Sequence, residues 1–392
     1  LRQLLSDAGS GDLARLSGAR LLDALRLRTD GDVTNAAVLL LGTEEMIVEV
    51  IPNYGYSYQY RPTAGTEATS RFRQGRPLVA ALEAILDAVN RGLELRPVNL
   101  AGGVQLQLVD YPASAVRELV VNAFIHRSYE APGSVDVEHT PERLSVISPG
   151  GLVMGVTPQN ILTHPSTPRH KLLAEVVSRI RLAERTGQGI DRAYREMLRA
   201  GKEPPMFEDS GLVTRAILSG GIGNDAFVRF LSDIPEELAQ DVEILLTVAA
   251  LRSRQSLDAK RLASVIQRSV VEAQDVLERL ASDDVAILES TRSTVRRQYP
   301  TYRLRGERLA SLSRAVTYHR RTIDQTDQKV IDHVREYEFV TNRTLQRLFD
   351  VNLYAARNLL SDFQSRGILR KIGTAKGGPG VRYGPGAKFP AS

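Results

Sequence analysis

Residues 111–129 read YPASAVRELVVNAFIHRSY, and this stretch decides what kind of domain fills the front of the chain. Tyr111-Pro112 marks a break, because proline fixes φ and disfavours a helical residue before it. Behind it Val116, Leu119, Val120, Ala123 and Phe124 recur at helical spacing, which predicts a helix over 113–125. Downstream, Pro132-Gly133 turns the chain. Two short strands, Ser134–Glu138 and Arg143–Ile147, then run into Ser148-Pro149-Gly150-Gly151. A strand over Val104–Val109 leads into the helix. Further upstream a helical pattern spans 75–96 through Leu78, Leu82, Ile85, Leu86 and Val89. The apolar runs Val33–Gly42 and Met46–Pro52 read as strands of a buried sheet, and 1–30 as a helical lead-in. In the other direction come a helix around 171–182, the turn Thr186-Gly187-Gln188-Gly189, a helix to about Arg199 and a strand over Leu212–Leu218. Mixed strands and helices in this order indicate a two-layer α/β domain over 31–219. Gly220-Gly221-Ile222-Gly223-Asn224 then reads as a boundary.

Composition sets the class. The chain has 392 residues, 42% hydrophobic and 25% charged, as expected of a soluble protein of several domains. Apolar runs such as Ala36–Gly42 fall far short of the ~20 residues that span a bilayer, so no membrane partner is expected. Cysteine is absent, which excludes disulfides, thiolate nucleophiles and cysteine-based zinc sites and fits a reducing cytoplasm. Charge is unevenly shared. Residues 251–392 carry 26 Lys and Arg against 15 Asp and Glu, net +11, whereas 1–250 carry 25 against 31, net −6. A basic C-terminal third on an acidic body points to a polyanionic partner.

That third changes character. The pattern of three helices with a short turn before the third, then a hairpin, occurs over 236–310 and again over 323–385. This is the plan of a winged helix, so the whole is expected to be multidomain α+β. In the first copy the helices are Glu236–Arg252, Asp258–Ile266 and Ser269–Ala281, with Ser269 and Glu272 as a capping box. Val285–Leu288 and Tyr302–Arg305 pair around a basic tip, Arg292, Arg296 and Arg297. Its third helix carries Glu272, Asp275 and Glu278, which repel phosphate, so packing or dimerisation is as good a role as DNA contact. The second copy has helices Thr326–Glu336, Asn342–Phe349 and Leu353–Arg366, then Gly367 and strands Ile368–Ile372 and Val381–Tyr383. Leu353, Ala356, Leu359, Leu360 and Phe363 are expected to face its core, leaving Tyr354, Arg357, Asn358 and Ser361 outward. Arg and Asn read guanine and adenine edges in a major groove. Arg343 and Arg347 sit on the helix that crosses phosphates, and Lys371, Lys376 and Arg382 line the wing. The expected partner is double-stranded DNA, bound by a homodimer.

The front domain also carries a family resemblance over about 30–218. Asn35–Gly42, Tyr111-Pro112 with Arg117–Ala123, His126-Arg127-Ser128-Tyr129, Ser148–Leu152 and Glu184–Ile190 stand in the order of blocks that resembles a large group of bacterial regulators. Those proteins, often labelled RecG-like helicases or ATP-binding regulators, join a Schlafen/AlbA-type DNA-binding domain to such an α/β unit and C-terminal winged helices. The Schlafen/AlbA-type part has no counterpart here, consistent with a chain lacking its start. The resemblance implies kinship with the GHKL ATPase fold, with Glu118 as its water-activating residue, Asn122 as its magnesium ligand, and Gly150, Gly151, Gly187 and Gly189 at the nucleotide. The cofactors it implies are ATP and Mg2+. The block that offers an Asp to adenine in that fold reads Ser148-Pro149-Gly150-Gly151 here. The residues alone favour the plainer reading, in which Glu118 and Asn122 brace their helix and the glycines make turns.

Other chemistry finds no support. Gly201-Lys202 is followed by Glu203 without the preceding P-loop glycine, which excludes a P-loop motor. His139, His164 and His170 lack metal-ligand spacing, no Ser-His-Asp set stands out, and His126 with Arg127 reads as structural. No catalytic or metal-ligating residue is assigned. The expectation is a DNA-binding transcriptional regulator rather than a turnover enzyme, the alternative being a GHKL-type ATP-binding protein or ATPase whose nucleotide state controls the winged helices.

Overall fold

A computed structural model describes the chain except for residues 64, 94, 100–104, 184–187, 222, 292–293, 313–322, 350, 374–380 and 391–392. It opens with three short helices, α1 (Arg2–Asp7), α2 (Gly11–Ala14) and α3 (Gly18–Ala24). A small hairpin of β1 (Arg28–Thr29) and β2 (Asp32–Val33) follows. Its turn holds Asp30 and Gly31 at φ 53° and 92°, the pair of positive angles that a two-residue Asp-Gly loop supplies.

The two apolar runs read as buried strands are instead helices, α4 (Asn35–Leu41) and α5 (Glu44–Val50). The cause is local. Thr34 and Thr43 each accept a hydrogen bond from the backbone N–H three residues on, of Ala37 and Met46 (both 3.3 Å). Glu44 and Glu45 further favour the start of α5.

The domain then lays down β3 (Tyr56–Tyr60), β4 (Ser70–Gln74), α6 (Leu78–Arg91), β5 (Leu95–Asn99), β6 (Gln105–Val109), α7 (Ala113–His126), β7 (Val135–His139) and β8 (Arg143–Pro149). It finishes with α8 (Lys171–Arg179), α9 (Gly189–Arg199), β9 (Met206–Asp209) and β10 (Val213–Ser219). Six strands form one sheet in the order β4-β3-β7-β8-β10-β9, parallel between β3 and β7 and antiparallel elsewhere. β5 and β6 pair separately. Alternate residues of the sheet, among them Tyr56, Tyr58, Val135, Val137, Leu144 and Val146, meet Leu82, Ile85 and Val89 of α6 and Leu119, Val120 and Phe124 of α7 in one core. Leu5, Leu21, Leu25 and Leu27 of the lead-in join it.

A helical module follows: α10 (Asp225–Ser232), α11 (Glu236–Ala239), α12 (Val242–Ser253), α13 (Ala259–Ile266), α14 (Val270–Ala281), the pair β11 (Leu288–Ser290) and β12 (Tyr302–Leu304), and α15 (Gly306–Ser311). The single helix expected over 236–252 is broken at Asp241, whose carboxylate accepts from the N–H groups of Glu243 and Ile244 and so starts α12. The capping box at α14 forms as expected. All of this lies in one compact unit, Leu1–Tyr318. Within it α9 serves two cores: Ala193 and Met197 face the sheet, Tyr194 and Leu198 the helical module.

The second unit, His319–Ser392, holds α16 (Ile323–Tyr337), α17 (Asn342–Phe349), α18 (Leu353–Ser365) and the antiparallel pair β13 (Leu369–Ile372) and β14 (Arg382–Pro385). Its core gathers Val330, Val334, Leu345, Phe349, Ala356, Leu360, Phe363 and Tyr383. Asn352 caps α18 through Ala355 N–H (2.9 Å), and Gly367 leaves it at φ 75°. No helix among the described residues is long and apolar enough to cross a membrane.

Candidate functional site

One face of α7 carries Glu118 and Asn122, four residues and one turn apart. Asn122 Nδ2 donates to Glu118 Oε1 at 3.1 Å, and the carboxylate is buried. Its other neighbour is the start of α9: a Cβ added to Gly189 would lie 1.7 Å from Glu118 Oε1. A side chain there would have to displace the carboxylate, which lies against the first turn of α9.

These residues wall a cavity of about 750 Å3. Its floor comes from Val146 and Ser148 of β8 and Thr214 and Ala216 of β10, its flank from Lys171 and Arg179 of α8. The irregular segment 152–168 closes it with Val156, Ile161 and His164. Gly150 and Gly151 also line it, but close neighbours of the chain explain both. Gly150 lies at φ 94° with Ser128 3.0 Å from a hypothetical Cβ, and a Cβ on Gly151 would meet Gly211 at 2.8 Å. So five of the six residues expected at a nucleotide, Glu118, Asn122, Gly150, Gly151 and Gly189, converge, while Gly187 lies outside the described residues.

Ser148 and Thr214 are paired across the antiparallel strands. Each hydroxyl gives its hydrogen to a carbonyl, Ser148 to Ala123 O (2.9 Å) and Thr214 to Gly150 O (3.0 Å). Both oxygens then offer lone pairs beside the cavity. Lys171, Arg179, His164 and Thr214 had no spacing that tied them to the site in the sequence. Their only signal was the basic run Arg169-His170-Lys171 ahead of an amphipathic helix.

The His-Arg-Ser-Tyr block divides in role. His126 lines the cavity, and burial, helped by Arg169 and His170, pushes its pKa down to about 4, so the ring is neutral at ordinary pH. Arg127 is fully buried and binds backbone: Nη2 donates to Asn53 O (2.8 Å) and Gly133 O (3.0 Å), Nη1 to Gly55 O (3.3 Å). Its guanidinium lies 4.8 Å from the Tyr129 ring centre. Arg169 ties the end of α7 to the glycine turn through His126 O (2.8 Å) and Gly151 O (2.7 Å). Lys202, the lysine of the non-matching Gly-Lys pair, is buried and donates to Gly221 O.

In the second unit Arg343 and Arg347 of α17, Tyr354, Arg357 and Asn358 of α18, and Lys371 and Arg382 of the hairpin are all exposed. Arg382 lies over the Phe339 ring at 4.3 Å. Arg343, Arg347, Arg357 and Lys371 form no ion pair among the described residues, whereas Arg366 is held by Asp362 (2.8 Å) and Asp327, and Arg335 by Asp332. Lys376 lies outside the described residues. Leu353, expected in the core, is 41% exposed, because the first turn of α18 extends past the packed positions Ala356, Leu360 and Phe363.

Residues 133–218 match the family model HATPase_c_4, described as "Putative ATP-dependent DNA helicase recG C-terminal". The match takes in Gly150, Gly151 and Gly189 and stops short of Glu118 and Asn122. The crystal structure of the DIP2311 protein from Corynebacterium diphtheriae is similar at a TM-score of 0.68 and 22% identity, over 80% of this chain. That likeness is one of fold, and this chain spans 62% of the other's length. No curated protein matches the chain.

Proposed function

We propose that the protein is a homodimeric DNA-binding transcriptional regulator, not a turnover enzyme, and that residues 323–385 are a winged helix contacting double-stranded DNA. The observation that carries this reading is the set of exposed arginines on α17 and α18 that form no ion pair among the described residues, in a unit where Arg335 and Arg366 are paired. Three helices followed by an antiparallel hairpin is the arrangement in which the third helix enters the major groove. Arg357 and Asn358 then read base edges, Arg343 and Arg347 hold phosphates, and Lys371, Arg382 and Lys376 serve the wing. The residues 236–310 form a second, supporting winged helix, since α14 presents Glu272, Asp275 and Glu278. The test is a gel-shift or anisotropy titration of the full chain at rising salt. Affinity should fall steeply, as each neutralised phosphate releases about one counterion; an affinity indifferent to salt sinks the reading.

A second reading concerns the cavity, and the convergence of Glu118, Asn122, Gly150, Gly151 and Gly189 on it favours ATP with Mg2+ as its occupant. About 750 Å3 suits a small-molecule site. Lys171 and Arg179 are cations for phosphates. Asn122, with its amide N–H on Glu118, keeps its Oδ1 for a hard cation. The hydroxyls of Ser148 and Thr214 stand in for the missing Asp as acceptors for an amine of the base. When bound, Mg2+ would neutralise phosphate charge; Glu118 stays braced by Asn122. Titration calorimetry with ATP and magnesium should give saturable heat in the parent chain and none in Asn122→Ala. Equal heat in both refutes this reading.

A further inference from the structure

Among the described residues, the side-chain hydrogen bonds from the helical module to the segment that closes the cavity come from one residue, Gln267. Gln267 stands in the two-residue turn between α13 and α14, in the left-handed conformation (φ 57°, ψ 38°), just ahead of the cap Ser269. Its amide makes two bonds to the closing segment. Oε1 accepts from Leu162 N–H (2.9 Å) and Nε2 donates to Pro158 O (3.0 Å). Both ends of the amide are thus committed to residues more than a hundred positions away in sequence.

The same segment is packed on both sides. Ile161 lines the cavity, while its neighbour Leu162 packs on the core of the helical module. Ile190 and Phe207 each line the cavity and touch both hydrophobic cores. Beside them Arg268, the other residue of the turn, is paired with Glu243 of α12 at 2.8 Å. Apolar contact and a bidentate amide therefore join the cavity wall to the entry of α14. A close-packed interior of this kind transmits displacement, because it cannot absorb it in voids.

We propose that Gln267 couples occupancy of the cavity to the α13–α14 turn. A ligand that fixes Ile161 and His164 thereby holds the amide clamp and stiffens the start of α14; in reverse, whatever binds α14 or its turn changes the cavity's affinity by the same factor. With ATP as the ligand this rests on the second reading above.

The experiment is hydrogen exchange followed by mass spectrometry on the full chain, with and without ATP and magnesium. In the parent chain both 152–168 and 267–273 should exchange more slowly with nucleotide, by about fivefold, the lower range for coupled sites. Gln267→Asn tolerates the left-handed conformation but is one methylene too short to reach both partners. It should keep the slowing at 152–168 and lose it at 267–273. A ligand-free arm separates the two ideas. Ile161→Phe fills the cavity from its closing segment, and Ile161→Ala empties it if the ring is not accommodated. Either change should alter exchange at 267–273 when made in the parent chain and leave it unaltered when combined with Gln267→Asn. Transmission through Gln267→Asn as in the parent, or no response at 267–273 to the Ile161 variants, overturns the proposal. If nucleotide slows neither segment while the Ile161 variants still act through Gln267, the ATP reading falls and the coupling stands.

Discussion

Replacing Arg127 by Met tests whether the His-Arg pair belongs to the site or to the scaffold. The guanidinium is fully buried and faces the Asn53, Gly55 and Gly133 carbonyls and the Tyr129 ring. Gly133 is exposed, so water can replace the bond to its carbonyl, and Gly55 O keeps the N–H of Val135 (3.0 Å); the half-buried Asn53 carbonyl loses its partner. An unsatisfied buried acceptor costs roughly 1–3 kcal/mol. Removing a desolvated charge returns part of this, since burial alone already lowers the Arg127 pKa. The net expectation is a loss of roughly 2 kcal/mol, with Met keeping most of the apolar stem in place. For a unit spanning Leu1–Tyr318, at about 2.1 cal/mol/K of unfolding entropy per residue, that corresponds to a fall of about 3 °C in Tm. Calorimetric melting of the full chain measures it. A variant melting within about 1 °C of the parent while losing ligand or DNA binding would show that Arg127 acts on a partner and that the scaffold argument is wrong.

Three further outcomes are expected. Gly189→Ala drives a methyl into the Glu118 carboxylate and should destabilise the chain by about 1–3 kcal/mol; adding Glu118→Ala should restore most of it, and additive losses in denaturant titrations would mean the two residues do not touch. His139 is buried against Tyr58 Oη (2.9 Å) with its pKa pushed down to about 4 by burial. Because the folded state resists its protonation, its contribution to stability should be full above the unfolded value near 6.5 and fall by about 3 kcal/mol as pH drops to 4. His139→Phe should remove that share of the slope in pH-dependent urea melts and leave the share of His126, which burial lowers alike. On DNA, Arg357→Ala should cost about 1–3 kcal/mol and relax sequence preference, whereas Arg343→Ala should weaken all sequences alike and reduce the salt slope by about one; the opposite pattern would exchange the roles of the two helices.

What the sequence revealed depended on how local its cause was. The helix over 113–126, the strands on either side of Pro141, and the capping box of Ser269 and Glu272 follow from spacing and capping within a few residues, and all form. The runs at 33–42 and 46–52 failed because a short unbroken apolar stretch has no period to read. The decisive signals were Thr34 and Thr43, one residue ahead of each helix. For the site, Glu118 and Asn122 could be seen four apart on one helix, but their meeting with Gly189 and with Lys171 and Thr214 needs contacts across the fold. Gln267 is the extreme case: nothing beside it in the chain hints at Leu162 or Pro158.

The helix α9, with Ala193 and Met197 in one core and Tyr194 and Leu198 in the other, has a consequence for how the protein can be taken apart. A fragment cut at the glycine-rich segment after residue 219 would keep α9 and expose Tyr194 and Leu198, together with the parts of Ile190 and Phe207 that the helical module covers. Such a fragment should self-associate, and its sticky stripe would be mistaken for a dimer interface. Shuffling of the sheet domain onto other partners is restrained by the same stripe, because any replacement must arrive with a complementary surface for α9.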